Sequence, residues 1–281
     1  MSHSSAGSEQ GAVPASPHRS ANGHMFGSSD HADSAGQPWA GRSFGETSFS
    51  GDDGSTPPAL IEPLRLLRSD SANYPALIAL LAAERVLVPL LAETGDHGIN
   101  DRGLKVDKTQ ELSIVTVIGP DGRTVLPVFT SVSEMQHWNA QARPVPVDMI
   151  RVALAAAEED TELVVVNPTS ASEFVIRRPA LWAIAQSKIS EWLPSWADQE
   201  LLDEFAGIAA QEPHIAGIQL LNGDPEAKLH GPELVVVLAL RAGLDREVVN
   251  ELVQRLSEFW AASTLITERV DSLAVKLIAA Q

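Results

Sequence analysis

The sequence predicts a mixed α+β protein of two small domains, each a sandwich of helices on a mixed sheet, preceded by a disordered N-terminal tail. Three observations predict this fold class. The chain has 281 residues, and the 44% that are hydrophobic are enough to bury a sizeable core. Apolar stripes at helical spacing alternate with short β-branched runs from Leu60 onward. The residues before Leu60 show neither pattern.

The predicted tail spans residues 1–59 and is dominated by residues that disfavour regular structure. It contains 13 Ser, 9 Gly and 5 Pro, and Val13 is its only Val, Ile or Leu. A segment with so few apolar side chains cannot offset the conformational entropy that it would lose on folding. We therefore predict a disordered tail that ends near Pro57 and Pro58.

The first predicted domain covers residues 60–190 and opens with a helix and a strand. Leucines and an isoleucine recur at helical spacing from Leu77 to Leu81, and the apolar run Val86–Leu91 is short enough for a buried strand. The next stretch, Glu93–Glu111, is polar and contains several glycines, so it predicts a long loop.

A β-hairpin and a capped helix follow. Two apolar runs, Leu112–Ile118 and Thr124–Phe129, flank the turn sequence Gly-Pro-Asp-Gly, which predicts a hairpin. Ser131 and Glu134 then stand three residues apart, the spacing of a capping box, so a helix is predicted from here to about Ala140.

The rest of the first domain alternates helices and strands. Pro144 and Pro146 interrupt the helical pattern. The remaining predicted elements are a helix from Met149 to Ala156, strands at Leu163–Val166 and Phe174–Ile176, and a helix that Pro179 opens.

The second predicted domain covers residues 191–281 and begins at a proline between two tryptophans. Its order of elements is helix, strand, strand, helix, strand, which describes a compact α+β sandwich. The predicted elements are a helix through Leu201–Ile208, strands at Ile215–Leu221 and Leu234–Leu240, a helix capped by Asp245, and a strand through Leu273–Leu277. One mixed or antiparallel sheet is expected in each domain.

The charge and composition of the chain exclude several classes of protein. Its net charge is −17, and this repels nucleic acids and anionic membranes. The region from residue 187 to residue 281 contributes −8, from 7 basic and 15 acidic side chains. The absence of cysteine rules out disulfides, thiolate zinc sites and thiol nucleophiles. With no secretory signal and no long apolar stretch, a cytoplasmic location is expected.

The sequence shows no catalytic or cofactor motif, so catalytic residues stay unknown and no cofactor is predicted. It lacks a P-loop, a dinucleotide-binding GxGxxG, a GxSxG elbow and an HExxH pair. One polar loop carries oxygen and nitrogen donors but lacks the order of ligands in an EF-hand, so no metal site is predicted there. The donors of this loop are Asp96, His97, Asn100, Asp101 and Asp107.

Two chain segments at strand ends are candidate ligand-binding residues. Thr130 and Ser131 lie where a strand meets a helix, so the helix N-terminus could attract an anion, or Ser131 could simply cap the helix. Asn167 and Pro168 end an apolar strand, a place where ligands meet the edge of a sheet, but Asn-Pro also initiates ordinary turns. Both interpretations stay open for each pair.

Trp192 and Trp196 form a candidate interaction surface on either side of Pro194. Large aromatic side chains contribute much of the energy of protein interfaces. The two tryptophans could hold the two domains together or form an exposed recognition patch.

Several of these features together resemble the SseB family, named for enhanced serine sensitivity. The resemblance covers about residues 74–185, and the chain after Ser195 is similar to the family's more divergent second domain. It rests on Val88-Pro89, on the run Leu126–Ser131 with Glu134 and Trp138, and on Val166-Asn167-Pro168. The resemblance implies an α+β fold and a link to serine metabolism or its regulation, but it supplies no catalytic residues.

These observations predict a non-catalytic cytoplasmic protein that acts as an interaction or regulatory module. We expect a protein partner or self-association. The first alternative is a sensor of a small amino-acid-like ligand. The second is a hydrolase-like enzyme that uses carboxylates and hydroxyls, because catalytic groups distant in sequence can meet in space.

Overall fold

The computed structural model describes residues 49–67, 73–92, 97–99, 105–107, 112–158 and 161–280, and it has the predicted mixed α+β fold. Residues 51–281 group into one unit by their contacts. Most of the predicted disordered tail, residues 1–48, lies outside the described residues.

The helices of the described chain are α1 (Pro58–Leu67), α2 (Tyr74–Leu81), α3 (Val132–Trp138), α4 (Met149–Glu158), α5 (Arg178–Ala185), α6 (Gln199–Ala209), α7 (Arg246–Ala262) and α8 (Thr264–Arg269). The strands are β1 (Arg85–Ala92), β2 (His97–Ile99), β3 (Lys105–Asp107), β4 (Leu112–Ile114), β5 (Val117–Ile118), β6 (Thr124–Val128), β7 (Arg143–Asp148), β8 (Val164–Val166), β9 (Phe174–Ile176), β10 (Ile215–Asn222), β11 (Leu234–Leu240) and β12 (Leu273–Ala279).

The first half of the described chain contains two larger sheets side by side and a small two-stranded one, rather than the single sheet expected. The first has the order β4-β1-β7 with antiparallel pairs, and the second has the order β5-β6-β8-β9. In the second sheet β6 and β8 run parallel, and its other pairs are antiparallel. A bridge between Leu87 and Phe129 connects the two sheets.

The predicted hairpin is confirmed. β5 and β6 pair antiparallel, and the amide of Gly119 donates to the carbonyl of Arg123 at 2.8 Å to close the turn. Gly122 has a φ of 84°, a backbone conformation that glycine adopts without steric cost.

The sequence does not predict strand β7, because its two prolines interrupt a helical pattern. In the structure Pro144 lies opposite Pro89 and Pro146 opposite Leu87, on the edge of the first sheet. Proline lacks an amide donor and is therefore tolerated in an edge strand, where one side of the backbone needs no partner. The prolines thus mark an edge and do not exclude a strand.

The predicted long loop after β1 contains regular structure. β2 and β3 form a short antiparallel pair within it, with Gly98 opposite Val106. The predicted strand at Leu112–Ile118 is divided, because β4 pairs with β1 while β5 pairs with β6. A continuous apolar run therefore serves two different sheets.

The first core lies between these sheets and helices α1, α2, α4 and α5. It contains fully buried side chains from each of them, among which are Leu60, Leu77, Val152, Phe174 and Leu181. The helical stripes predicted from the sequence face this core.

Ordered structure begins before Leu60, within the segment that composition predicts to be disordered. α1 starts at Pro58, and the carboxylate of Asp52 pairs with the half-buried Arg85 at the start of β1. The backbone carbonyl of Gly54 also accepts from Val132 at 2.8 Å. Contacts with residues that are distant in the sequence hold this polar segment in place, and amino-acid composition alone cannot reveal such contacts.

The second core lies between the sheet β10-β11-β12 and helices α6, α7 and α8. β10 pairs antiparallel with β11 and β12 pairs parallel with it, so this sheet is mixed as expected. Its centre contains Phe205 and Trp260, whose ring centroids are 5.2 Å apart. Asp245 caps α7 as predicted, by accepting from the amide of Val248 at 2.9 Å.

The two cores meet near a short 3-10 turn at Ser195–Ala197. Trp192 packs against the first core, and Trp196 packs against both. The domain boundary at residue 190, which the sequence predicts, stays a prediction.

Candidate functional site

The structure brings the predicted ligand-binding residues Thr130 and Asn167 together. The Asn167 side chain accepts from the Thr130 amide at 2.8 Å and donates to the Thr130 hydroxyl at 3.0 Å. Its amide nitrogen also donates to the Ser172 hydroxyl at 3.0 Å. Asn167 has a φ of 49°, a left-handed conformation that asparagine tolerates better than most residues. All three side chains are buried.

Ser131 and Pro168 flank this network. The Ser131 hydroxyl accepts from the amide of Glu134 at 3.2 Å, so its capping of α3 is confirmed. The carbonyl of Thr130 accepts from Arg85 at 2.6 Å. Because these polar groups bond to one another, a ligand at this place would have to replace existing hydrogen bonds. Ligand binding by these four residues stays a prediction.

Metal binding finds no support in the described chain. Asp96, Asn100 and Asp101 of the polar loop lie outside the described residues, and the side chains of His97 and Asp107 are also outside that description. Among the residues that the structure describes, no group of three or more His, Asp or Glu side chains could hold a metal ion.

A buried cluster of charges, which the sequence did not predict, lies where the two cores meet. We call Arg123, Arg177, Asp224, Glu233 and Asp271 the junction cluster. The Arg177 guanidinium donates to Asp224 at 2.6 Å and to Asp271 at 2.9 Å. Arg123, next to the hairpin turn, donates to both carboxylate oxygens of Asp271. The two arginines precede residue 184, and the three carboxylates follow residue 200, so the cluster joins the two halves of the chain.

The arginines of the junction cluster stabilise the charge of Asp271. Burial alone would raise the pKa of Asp271, but hydrogen bonds and charges from Arg123 and Arg177 outweigh it and lower that pKa. Burial alone would lower the pKa of Arg177, but hydrogen bonds and charges from Asp224 and Asp271 outweigh it and raise that pKa. Buried charges of this kind are tolerated only when they are paired and hydrogen-bonded.

Glu233 is the member of the cluster whose charge is poorly compensated. It is only 4% exposed, and burial raises its pKa to about 7. The Asp271 amide, which donates to Glu233 at 2.6 Å, and the charge of Arg177 lower that pKa, whereas the Asp271 carboxylate raises it. Glu233 therefore changes charge near neutral pH, unlike an exposed glutamate.

A small cavity of about 20 Å³ adjoins the cluster. Residues from both halves of the chain line it, among them Tyr74, Arg177, Trp192, Asn222, Asp224 and Glu233. A cavity of this size has room for about one water molecule. It is too small to hold an organic substrate.

One polar group that lines the cavity, the buried indole nitrogen of Trp192, lacks a hydrogen-bond partner among the described residues. The buried hydroxyl of Ser195 lies close enough to Glu233 to lower its pKa. Tyr74, in contrast, donates its hydroxyl to the carbonyl of Val175 at 2.8 Å, and burial raises its pKa. Its ring contacts Trp192 with centroids 6.4 Å apart.

An open groove of about 490 Å³ lies on the other side of Trp192, and we call it the junction groove. Its lining includes Trp182, Lys188, Trp192, Leu193, Glu200 and Arg269. Leu193 is 54% exposed, although removing a leucine side chain from water lowers the free energy. Trp182 is half-buried beneath the guanidinium of Arg178, which lies 4.7 Å from the ring centroid. The groove is thus partly aromatic and apolar.

Acidic side chains outnumber basic ones along the junction groove. Four carboxylates line it, those of Glu191, Asp198, Glu200 and Glu268, against the two cations Lys188 and Arg269. Arg269 already pairs with Asp198 at 2.9 Å and with Glu200 at 2.8 Å. Glu191 and Glu268 therefore outnumber the remaining cation Lys188, and the groove has a net negative charge.

The predicted interaction residues occupy different places in this arrangement. Trp192 lines both the junction cavity and the junction groove, whereas Trp196 lines the cavity and contacts both cores. Trp196 packs against both cores, whereas Trp192 packs only against the first, and the interpretation that the two tryptophans hold the domains together stays a prediction. The recognition patch stays a prediction, and the structure adds Leu193 and the flanking carboxylates to it.

The comparison with known protein families finds a match for one segment in the first part of the chain. Residues 60–183 match the SseB protein N-terminal domain. This segment of the chain is therefore an SseB-type N-terminal domain. No curated protein and no solved structure matches the chain. Within the described residues, no helix is both long and apolar enough to cross a membrane.

The end of the SseB domain coincides with the site described above. Arg177 lies within the matched segment, whereas Asp224, Glu233 and Asp271 come after it. Trp192 and Leu193 follow the domain by about ten residues. The junction cluster and the junction groove therefore combine the SseB domain with the chain that follows it.

Proposed function

We propose that this chain is a non-catalytic, cytoplasmic SseB-type protein that regulates a partner by binding it in the junction groove. The partner presents a basic segment with an apolar anchor. The observation that carries the proposal is the exposed Leu193 beside the half-buried Trp192, flanked by unpaired carboxylates. An apolar centre with a charged rim is the usual anatomy of a protein interface.

Charge favours a basic partner over a second copy of the chain. Two copies would each carry −17 and repel one another on approach. A segment rich in lysine or arginine would be attracted to Glu191 and Glu268 and would approach faster at low salt. An apolar side chain of the same segment would cover Leu193.

The test is a selection of peptides by display on the full chain, followed by fluorescence anisotropy with the selected peptide. We expect enriched peptides to carry Lys or Arg around one large apolar residue. Leu193→Ser and Glu191→Lys should each weaken binding about tenfold, as interface residues of this type do. The matched controls are Ile118→Ser, at a 72% exposed isoleucine outside the groove, and Glu258→Lys, at an exposed carboxylate on α7.

Two results would overturn this proposal. Peptides without basic residues could dominate the selection, or the two groove variants could bind the peptide as well as their controls do. Binding of the selected peptide should also weaken when salt is raised, because salt screens exposed charges. Binding that does not weaken would contradict the role of charge.

A sensor of a small amino acid is the second candidate function. The observation that favours it is the convergence of Thr130, Ser131 and Asn167 at adjoining strand ends. The family resemblance suggests serine as the ligand, and this would connect the protein with serine metabolism. In this proposal serine replaces hydrogen bonds of the Thr130–Asn167 network.

A thermal-shift titration with L-serine tests the sensor. At ten times its Kd, serine should raise the Tm by about 3–5 °C, and D-serine at the same concentration should not. Thr130→Val, which removes one hydroxyl of the network, should abolish the shift. Equal responses to the two enantiomers would rule the sensor out.

A further inference from the structure

Trp192 connects the buried cavity with the exposed groove. One wall of the cavity is formed by Trp192 together with Glu233, and the same indole lines the groove in which the proposed partner binds. Any change that enlarges the cavity must move one of its walls. Trp192 is half-buried and belongs to the irregular segment between α5 and the 3-10 turn, whereas Glu233 directly precedes β11 in the centre of a sheet.

Several charged and polar groups face Glu233 from the elements packed around it. The chain before β12 supplies the carboxylate and amide of Asp271 and the hydroxyl of Ser272, which accepts from the Glu233 amide at 3.0 Å. The chain before α5 supplies Arg177, and the 3-10 turn supplies Ser195. Tyr74 of α2 is close enough for Glu233 to affect its pKa. Among these groups only the arginine is a cation, and it is already paired with Asp224 and Asp271.

An ionised Glu233 therefore needs more water than the small volume of this cavity holds. A buried carboxylate without sufficient partners costs much more free energy than the neutral carboxyl group. The cavity has room for about one water molecule, fewer than a carboxylate binds in solution. Ionisation thus favours a wider cavity, and the protonated form favours the closed one.

We propose that proton binding at Glu233 controls the junction groove. The protonated carboxyl keeps the cavity closed and Trp192 in the wall of the groove, and ionisation opens the cavity and displaces Trp192. This inference rests on the proposed function of the groove, because it concerns how docking there is regulated. The partner therefore binds the protonated protein more tightly.

The first experiment needs no partner. The full chain is labelled with ¹⁵N-tryptophan, the indole signal of Trp192 is assigned with Trp192→Phe, and its chemical shift is followed from pH 5 to pH 9. We expect a transition near pH 7 that Glu233→Gln abolishes and Glu226→Gln, at an exposed loop position, preserves. A Trp192 signal that does not titrate, or that titrates equally in Glu233→Gln, overturns the coupling.

The second experiment measures the affinity of the selected peptide at pH 6 and pH 8. Wild type should bind about tenfold more tightly at pH 6, and Glu233→Gln should change by less than about twofold. Of the described residues that line the groove, none is a histidine, so the groove supplies no other group that ordinarily titrates in this range. Tighter binding at pH 8 contradicts the proposed control.

The two experiments separate the two proposals. If no peptide binds at either pH, the groove is not a docking site, and the proposed control of docking fails as well. The Trp192 titration still decides whether ionisation of Glu233 moves the cavity wall. If the peptide binds with the same affinity at both pH values, docking stands and control by Glu233 is overturned.

Discussion

Glu233 lies where a carboxylate is poorly solvated, and this has a measurable effect on stability. Its pKa of about 7 in the folded protein lies above the ordinary glutamate value of 4.5, so folding takes up a proton between these pH values. The stabilisation is complete below pH 4.5 and is lost as the pH rises towards 7. Asp52, Asp121 and Asp271 have lowered pKa values, so their contributions change at lower pH.

We therefore predict that Glu233→Gln unfolds at higher denaturant concentration than wild type at pH 8. The glutamine keeps an oxygen that can accept from the Asp271 amide and removes the buried charge. The expected gain is about 1–3 kcal/mol at pH 8 and close to zero at pH 5. Urea unfolding followed by circular dichroism measures both values. A variant that is less stable than wild type at pH 8 would contradict the inference that the ionised, buried carboxylate of Glu233 destabilises the folded protein.

Arg177 has the opposite role, because it compensates charge at the junction. Its removal leaves Asp224 without its arginine partner and Asp271 with Arg123 alone. We predict that Arg177→Ala loses about 3–5 kcal/mol of unfolding free energy, the usual cost of leaving buried charges unpaired. Arg255→Ala, which removes the more exposed pair with Glu212, should lose far less stability in the same urea titration, because exposed ion pairs are screened by solvent. Equal losses would show that the junction cluster is no more important than a surface ion pair.

At the scale of elements, the cap of α7 gives a local prediction. Asp245 accepts from the amide of Val248, and α7 supplies Leu252, Leu256 and Trp260 to the second core. Asp245→Ala should therefore lower the unfolding free energy by about 1 kcal/mol. Asp245→Asn, which keeps an acceptor oxygen, should lose less. If both substitutions had the same effect, the hydrogen bond would not be the cause.

Elements with a local cause were predictable from the sequence. The hairpin follows from its turn residues, and α7 follows from its apolar stripe and cap, because both signals lie within a few residues of one another. Strand β7 could not be predicted, since only its pairing with β1 shows that its prolines lie at a sheet edge. The same holds for α8, whose cap Ser263 directly follows α7, so the two helices look like one.

The residues of the candidate site also differ in whether the sequence alone predicts them. Trp192 was predicted, because a tryptophan beside a proline at a change of pattern is visible in the sequence. Arg177 and Asp271 were not, because 94 residues separate them and each has the pattern of an ordinary surface charge. A single signal was available: Glu233 directly precedes the apolar run Leu234–Leu240, where a charge is unusual.

At the scale of the whole molecule, the junction cluster should make the two cores unfold together. Trp196 contacts both cores, and Arg123 and Arg177 of the first half hold Asp224 and Asp271 of the second. Unfolding either core alone would expose Trp196 and leave paired charges without partners. This free-energy cost makes partly unfolded states rare and favours a single transition.

Calorimetry tests this coupling. We predict a single thermal transition for the wild type, with a calorimetric enthalpy equal to the van't Hoff enthalpy. Arg177→Ala removes the central cation of the junction, so its transition should broaden or divide into two. Arg255→Ala, which leaves the junction intact, should keep a single transition. Two transitions in the wild type would mean that the cores are independent, and a groove built from both would then lack the rigidity that a defined docking surface requires.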